Sequence, residues 1–276
     1  MNRNSTLKII GRGFTLIELL VVIAIISLLL SILLPGLRKA KETVKGIVCR
    51  SNLRQMPLAF SIYSQENDGR MFMMNYGAGY WLRMIAPYLD DKSFQENPTL
   101  DGGGVMKVSL CPATIIQTTE ENAPDNKTTW RFNTGGNNGV IVGSYGINCW
   151  TLPDPDYYQY VRWGGSANNA RGKFFDRYSL IRADTGLLVD AFRMDNWPEP
   201  EQESLPIKKS ETQGMNKRMD HSPSFFMRRF TVDRHGWGVN VGFVGGYVER
   251  IKLENLGMIP WNQKASPVEL RFERGK

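Results

Sequence analysis

Apolar and polar positions divide the chain into two unequal parts. From Leu19 to Leu34 the run LLVVIAIISLLLSILL carries no charged residue, and with its flanks it extends from Phe14 to Leu37. At about 1.5 Å per residue, such a helix covers the ~30 Å hydrocarbon core of a bilayer. No other stretch approaches this length, so the rest of the chain is expected on one side of the membrane. Past Pro35 the period changes. Leu37, Ala40, Val44, Ile47, Val48 and Ser51 recur at three- and four-residue spacing among charges, the pattern of an amphipathic helix. Pro57 is expected to kink or break it, Leu58 to Glu66 to resume it, and Asn67-Asp68-Gly69 to end it.

Beyond that point the pattern breaks into short pieces. Trp81 to Leu89 reads as a short helix, Cys111-Pro112 as the end of a strand, and Ser144 to Asn148 and Leu187 to Ala191 as strands. Val239 to Val244 and Tyr247 to Ile251 read as two strands around a Gly245-Gly246 turn. In the first of these, Val239, Val241 and Phe243 alternate with Asn240, Gly242 and Val244. This gives an apolar face expected to cover the long helix and a second, mixed face. Trp163 to Gly172 and Trp197 to Pro206 are loops by composition. The implied fold is α+β, a long N-terminal helix, first transmembrane and then amphipathic, packed on an antiparallel β-sheet head.

Charge sharpens the membrane reading. The 276 residues carry a formal net charge of +7. Met1 to Gly13 contributes +3, Glu18 −1 and Arg38 to Arg54 +5, while the chain from Gln55 onward is neutral. The basic excess therefore flanks the apolar run, as in a membrane anchor, and does not form a nucleic-acid surface. Lys217, Arg218, Arg228, Arg229 and Arg234, near Phe225, Phe226 and Phe230, are read as an exposed strand face and not as a nucleic-acid site.

The junction Arg12-Gly13-Phe14-Thr15-Leu16-Ile17-Glu18 before LLVVIAII resembles the signal of type IV prepilins and of the pseudopilins of type II secretion. The resemblance implies a bacterial, pilin-like fold and four parts: a leader over 1–13, a transmembrane helix over 14–37, a spine helix over 38–67 and a head over 68–276. It implies cutting by a prepilin peptidase between Gly13 and Phe14, and N-methylation of Phe14. Glu18 matches the family's assembly glutamate, which neutralises the terminal amine of a neighbouring subunit, and Pro35 matches its helix-bending proline. Partners would be the peptidase, the membrane and other pilin-like subunits in a homo- or hetero-oligomer. The chain would cross the inner membrane once, with its N-terminus cytoplasmic and its head periplasmic, or extracellular after assembly. Counting basic residues on either side of the run favours the opposite orientation. The segment Cys49-Arg50-Ser51-Asn52-Leu53-Arg54-Gln55 resembles a subgroup of such proteins from Planctomycetes, Lentisphaerae and Verrucomicrobia. His235, followed after nine intervening residues by Gly245-Gly246, resembles that subgroup's H-X9-DG motif, with Gly245 in place of the aspartate.

Candidate chemistry elsewhere is sparse. His221 and His235 lie near Asp220 and Asp233, but neither an HExxH nor a paired CxxC spacing is present, and a metal centre needs at least three convergent ligands. His235 is therefore expected to be structural, fixing the start of a strand by a hydrogen bond, with no metal and no catalytic residue. No cofactor is expected; Asp154 and Asp156 offer oxygen ligands to Ca²⁺ without the full EF-hand pattern, and are read as a solvated loop. Cys49, Cys111 and Cys149 allow several disulfide pairings, Cys111 to Cys149 among them, and spacing does not choose. Two functions fit: a structural subunit of a type II secretion or type IV pilus-like fibre, or a membrane-anchored binding or hydrolytic module delivered by the same signal.

Overall fold

The computed structural model describes residues 15–73, 80–89, 106–116, 125–133, 140–153, 166–175, 177–203, 206–214 and 227–273. The chain divides into two compact units, Met1–Val44 and Lys45–Lys276. A single helix, α1 (Leu16–Glu66), contributes to both.

In the first unit, every large apolar side chain of the helix from Leu16 to Leu34 is at least 44% exposed. These are side chains that bury readily, and among the described residues of this unit nothing covers them. The helix is long and apolar enough to cross a membrane. It opens on a capping box. The Thr15 N–H and hydroxyl donate to Glu18 Oε2 at 2.9 and 2.8 Å, and Glu18 N–H donates back to Thr15 Oγ1 at 3.2 Å.

In the second unit, α1 buries Gly46, Cys49, Leu53, Met56, Pro57, Ala59, Phe60 and Ser64. This corrects the expected register. Val44, Ile47 and Val48 are exposed, and the buried face is built on Cys49, Leu53, Met56 and Phe60 instead. Small residues at Gly46 and Cys49, which an apolar count overlooks, let the sheet approach there. Pro57 does not interrupt the helix either. Its ring and the Leu53 carbonyl, whose usual donor proline removes, face β6 (Gly238–Phe243) at Gly242. A Cβ on Gly242 would stand 3.3 Å from Pro57 Cγ and 3.4 Å from Leu53 O, so glycine there makes room for the proline. The helix ends as expected, with Asp68 and Gly69 at φ 54° and 76° and the Gly69 N–H donating to Ser64 O at 2.7 Å.

The described strands of the main sheet run in the order β5 (Asp195–Asn196), β3 (Tyr145–Asn148), β4 (Gly186–Asp190), β6, β7 (Val248–Lys252). Neighbours from β3 to β7 are antiparallel, and the two-residue edge strand β5 runs parallel to β3. β1 (Trp130–Asn133) and β2 (Val140–Gly143) form a separate antiparallel pair. Helix α2 (Tyr80–Ile85) continues into a 3₁₀ turn at Ala86–Tyr88, as the sequence predicts. The segment before Cys111 is not a strand: Lys107–Ser109 forms a 3₁₀ turn.

The sheet is covered on both faces. On one, Cys49, Leu53, Met56 and Phe60 of α1 pack with Trp81, Tyr145, Ile147 and Leu188. On the other, Val189, Val239, Val241 and Phe243 pack with Phe230, Leu253, Leu256 and Trp261. The apolar face of β6 thus turns away from the helix, contrary to expectation, and the mixed face of Asn240 and Gly242 meets it. Asn240 has a polar partner waiting on α1, and Gly242 permits close approach, so the mixed face is the one that fits.

Candidate functional site

Four segments meet where α1 crosses the sheet. Cys49 projects from the buried face of the helix with no exposed area. Cys111 follows the Lys107–Ser109 turn, which is held by Asn52 Nδ2 donating to Leu110 O and by Ser144 N–H donating to Ser109 O, both at 2.9 Å. Asp190 ends β4 and is fully buried. His235 precedes β6 in a turn where Gly236 and Trp237 both adopt positive φ, a strained arrangement for tryptophan. Arg250 clamps that turn by donating to the carbonyls of His235 and Gly236.

The ligand atoms of Cys49, Cys111, Asp190 and His235 lie within 4.8 Å of one another, a group that could hold a metal ion. Cys111 Sγ is 3.4 Å from His235 Nε2, His235 Nε2 is 3.3 Å from Asp190 Oδ2, and Cys49 Sγ is 3.7 Å from Asp190 Oδ1. The sequence sets His235 beside His221, Asp220 and Asp233 as candidate ligands; the fold instead gathers one histidine, two thiols and a carboxylate. Cys111 and Asp190 address the same imidazole nitrogen. A nucleophile–base–acid triad places its carboxylate on the opposite nitrogen, so this arrangement does not form a proton relay.

Surrounding groups complete the polar network. Asp190 Oδ2 accepts from the Asn240 N–H at 2.9 Å, and Oδ1 lies 3.3 Å from Arg234 Nη1. Cys49 Sγ accepts from Asn240 Nδ2 at 3.1 Å and from the Tyr145 hydroxyl at 3.2 Å. A hydrogen bond from Cys49 lowers the Cys111 thiol to about 6, against burial and the Asp190 charge. Burial pushes Cys49 up. Burial also works against charge on His235, but the Asp190 carboxylate and hydrogen bonds to Asp190 and Cys111 outweigh it and raise the imidazole to about 10.

Other expectations are corrected or confined. Arg228, Arg229 and Arg234 are buried rather than exposed: Arg228 pairs with Glu203 at 2.9 Å and Glu211 at 2.5 Å, and Arg234 with Asp190. All three cysteines are free; Cys149 Sγ faces Ile147 O, so the Cys111 to Cys149 bridge does not form. Gly245 and Gly246 make the turn between β6 and β7. Gly246 sits at φ 81°, where only glycine is at ease, and Gly245 N–H donates to Ala183 O at 2.9 Å. Pro35 lies within α1 without ending it. Gly13, Phe14, Asp154, Asp156, Lys217, Arg218, Asp220, His221, Phe225 and Phe226 lie outside the described residues.

Residues 11–34 match the family described as the prokaryotic N-terminal methylation motif. Over 59 residues the chain is 34% identical to the ComG operon protein 3 homolog of Bacillus licheniformis, covering 21% of this chain and 61% of that one. The chain thus spans about three fifths of the length of that curated relative. No solved structure matches. Residues 16–34 of the matched motif lie in α1, on the stretch whose large apolar side chains are exposed.

Proposed function

We propose that the chain is a pseudopilin-like structural subunit, cut by a prepilin peptidase between Gly13 and Phe14, methylated at Phe14, and assembled into a type II secretion or type IV pilus-like fibre. The observation that carries this reading is the coincidence of the methylation motif over 11–34 with a stretch of helix, Leu16 to Leu34, whose large apolar side chains are all exposed. Such a surface needs lipid before assembly and the helices of other subunits afterwards. Ile47, Val48, Leu58 and Ile62 continue an exposed apolar stripe along the part of α1 that belongs to the head, which suits lateral packing of subunits.

Glu18 supports the same reading. A carboxylate accepts more hydrogen bonds than the two that Thr15 supplies, so Glu18 caps its own helix and still has capacity for the Phe14 amine of a neighbour. The chain would be anchored in the inner membrane by one span, N-terminus inside and head outside. The His235 to Gly246 spacing and the Cys49 segment support placement in the H-X9-DG subgroup, Gly245 excepted. Mass spectrometry of the mature N-terminus tests the proposal. A chain beginning with N-methyl-Phe14 is expected; an intact Met1 in cells with active prepilin peptidase, or cutting beyond Leu34, overturns it.

A further inference from the structure

We propose that Cys49, Cys111, Asp190 and His235 are the four ligands of a structural zinc ion that fastens the spine helix to the head. This does not depend on the reading of the N-terminal segment.

The separations carry the argument. With Zn–S near 2.3 Å and Zn–N and Zn–O near 2.0 to 2.2 Å, the edges of a tetrahedron are about 3.6 Å from sulfur to nitrogen, 3.4 Å from nitrogen to oxygen and 3.6 Å from sulfur to oxygen. The corresponding distances are 3.4 Å from Cys111 Sγ to His235 Nε2, 3.3 Å from His235 Nε2 to Asp190 Oδ2 and 3.9 Å from Cys49 Sγ to the same carboxylate oxygen. Hydrogen bonding alone does not account for this convergence. Nε2 has either one proton or one lone pair to offer, and both Cys111 Sγ and Asp190 Oδ2 stand at its end. A cation at the centre satisfies all four at once.

Donor chemistry and charge agree. Two thiolates with an imidazole select zinc over magnesium or calcium, and four protein ligands leave no open position, which is the structural rather than the catalytic type. The charges of the two thiolates and the Asp190 carboxylate are cancelled by the dication together with the buried Arg234 guanidinium. Asn240 Nδ2 and the Tyr145 hydroxyl donate to Cys49 Sγ, and the Asn240 N–H and Arg234 orient the carboxylate. This is the outer layer that metal ligands require. The ligands come from α1, the loop after Lys107–Ser109, the end of β4 and the turn before β6, so one ion would join four separate segments.

The test uses the full chain, purified in detergent without chelator from zinc-replete cells. Elemental analysis is expected to give about one zinc per chain. Cys111→Ser and His235→Gln should lose it, while Cys149→Ser, which alters a buried thiol outside the group, should retain it. Exchange with Co²⁺ should produce the visible absorption of a tetrahedral site and a near-ultraviolet sulfur charge-transfer band, the latter reduced in Cys111→Ser. This spectrum separates ligation from a fold lost through substitution. Chelation should lower the melting temperature of the wild type and leave that of Cys111→Ser unchanged. The proposal is overturned by folded wild-type protein that holds no zinc and takes up no Co²⁺, by unchanged zinc content in Cys111→Ser, or by a Cys49–Cys111 disulfide in the mature protein.

Discussion

Replacing Arg234 by methionine, which keeps much of the volume and removes the charge, probes the most heavily used side chain around Asp190. Its guanidinium lies 2.7 Å from Ser144 O, 3.2 Å from Asn126 O, 3.3 Å from Asp190 Oδ1 and 3.4 Å from Thr128 O. Neither side chain of the Arg234–Asp190 pair has any exposed area, so water cannot replace what is lost. Breaking a buried pair by removing one partner costs about 3 to 5 kcal/mol, and the His235 imidazole, 3.3 Å from Asp190, holds the loss toward the lower end. The Ser144 carbonyl also loses its charged donor, and that loss is part of the same figure. For a unit of this size each kcal/mol lowers the melting temperature by about 2 to 4 °C, giving a drop of roughly 6 to 20 °C. The assay is a tryptophan-fluorescence melt of the full chain in detergent, with and without chelator. Without chelator the drop should be smaller, since a bound dication also neutralises Asp190. A drop below about 3 °C in chelator would refute the view that Arg234 holds a buried charge in place.

Gly242→Val should lower stability by about 1 to 3 kcal/mol, read in the same melts, because its β-carbon meets the Pro57 ring and a backbone carbonyl and neither can rotate away. Glu18→Ala should leave membrane insertion and cutting intact but reduce fibre yield, measured by shearing and immunoblotting; normal yield would sink the pairing of Glu18 with a neighbour's Phe14 amine. Leu58→Asp with Ile62→Asp should likewise reduce yield while leaving the melt of the head unchanged, since both side chains are exposed. Burial raises the Tyr178 phenol above its ordinary 10.0. The stability it contributes is whole below that value and is lost as pH rises beyond it, because the unfolded chain ionises first. Melts across alkaline pH should therefore fall more steeply for wild type than for Tyr178→Phe.

Much of the fold is legible where the signal is local. The stop at Asn67-Asp68-Gly69 works through positive φ at Asp68 and Gly69, and β4, β6 and the Gly245-Gly246 turn follow from alternation and glycine. The register of α1 is not legible in the same way, because its buried face includes Gly46, Cys49 and Pro57, which large apolar residues alone do not mark. The capping box of Thr15 and Glu18 had a local signature, threonine three residues before glutamate at the head of an apolar run. The four-residue group had none. Cys49 and Asp190 are 141 positions apart, and no spacing rule reaches across that distance. Each segment of the group carries its own mark, yet only the sheet order brings them together.

The placement of β7 bears on how copies of this chain can stand beside one another. Among the described strands it forms one edge of the main sheet, and its Glu249, Arg250 and Lys252 side chains are exposed. A bare strand edge invites a second molecule to add its own strand, and a row of mixed charges discourages that merger. In the proposed fibre, where heads would be neighbours for the lifetime of the assembly, this edge would keep each sheet a closed unit. Adhesion would then fall to the helices, and the heads would remain separable when the fibre is taken apart.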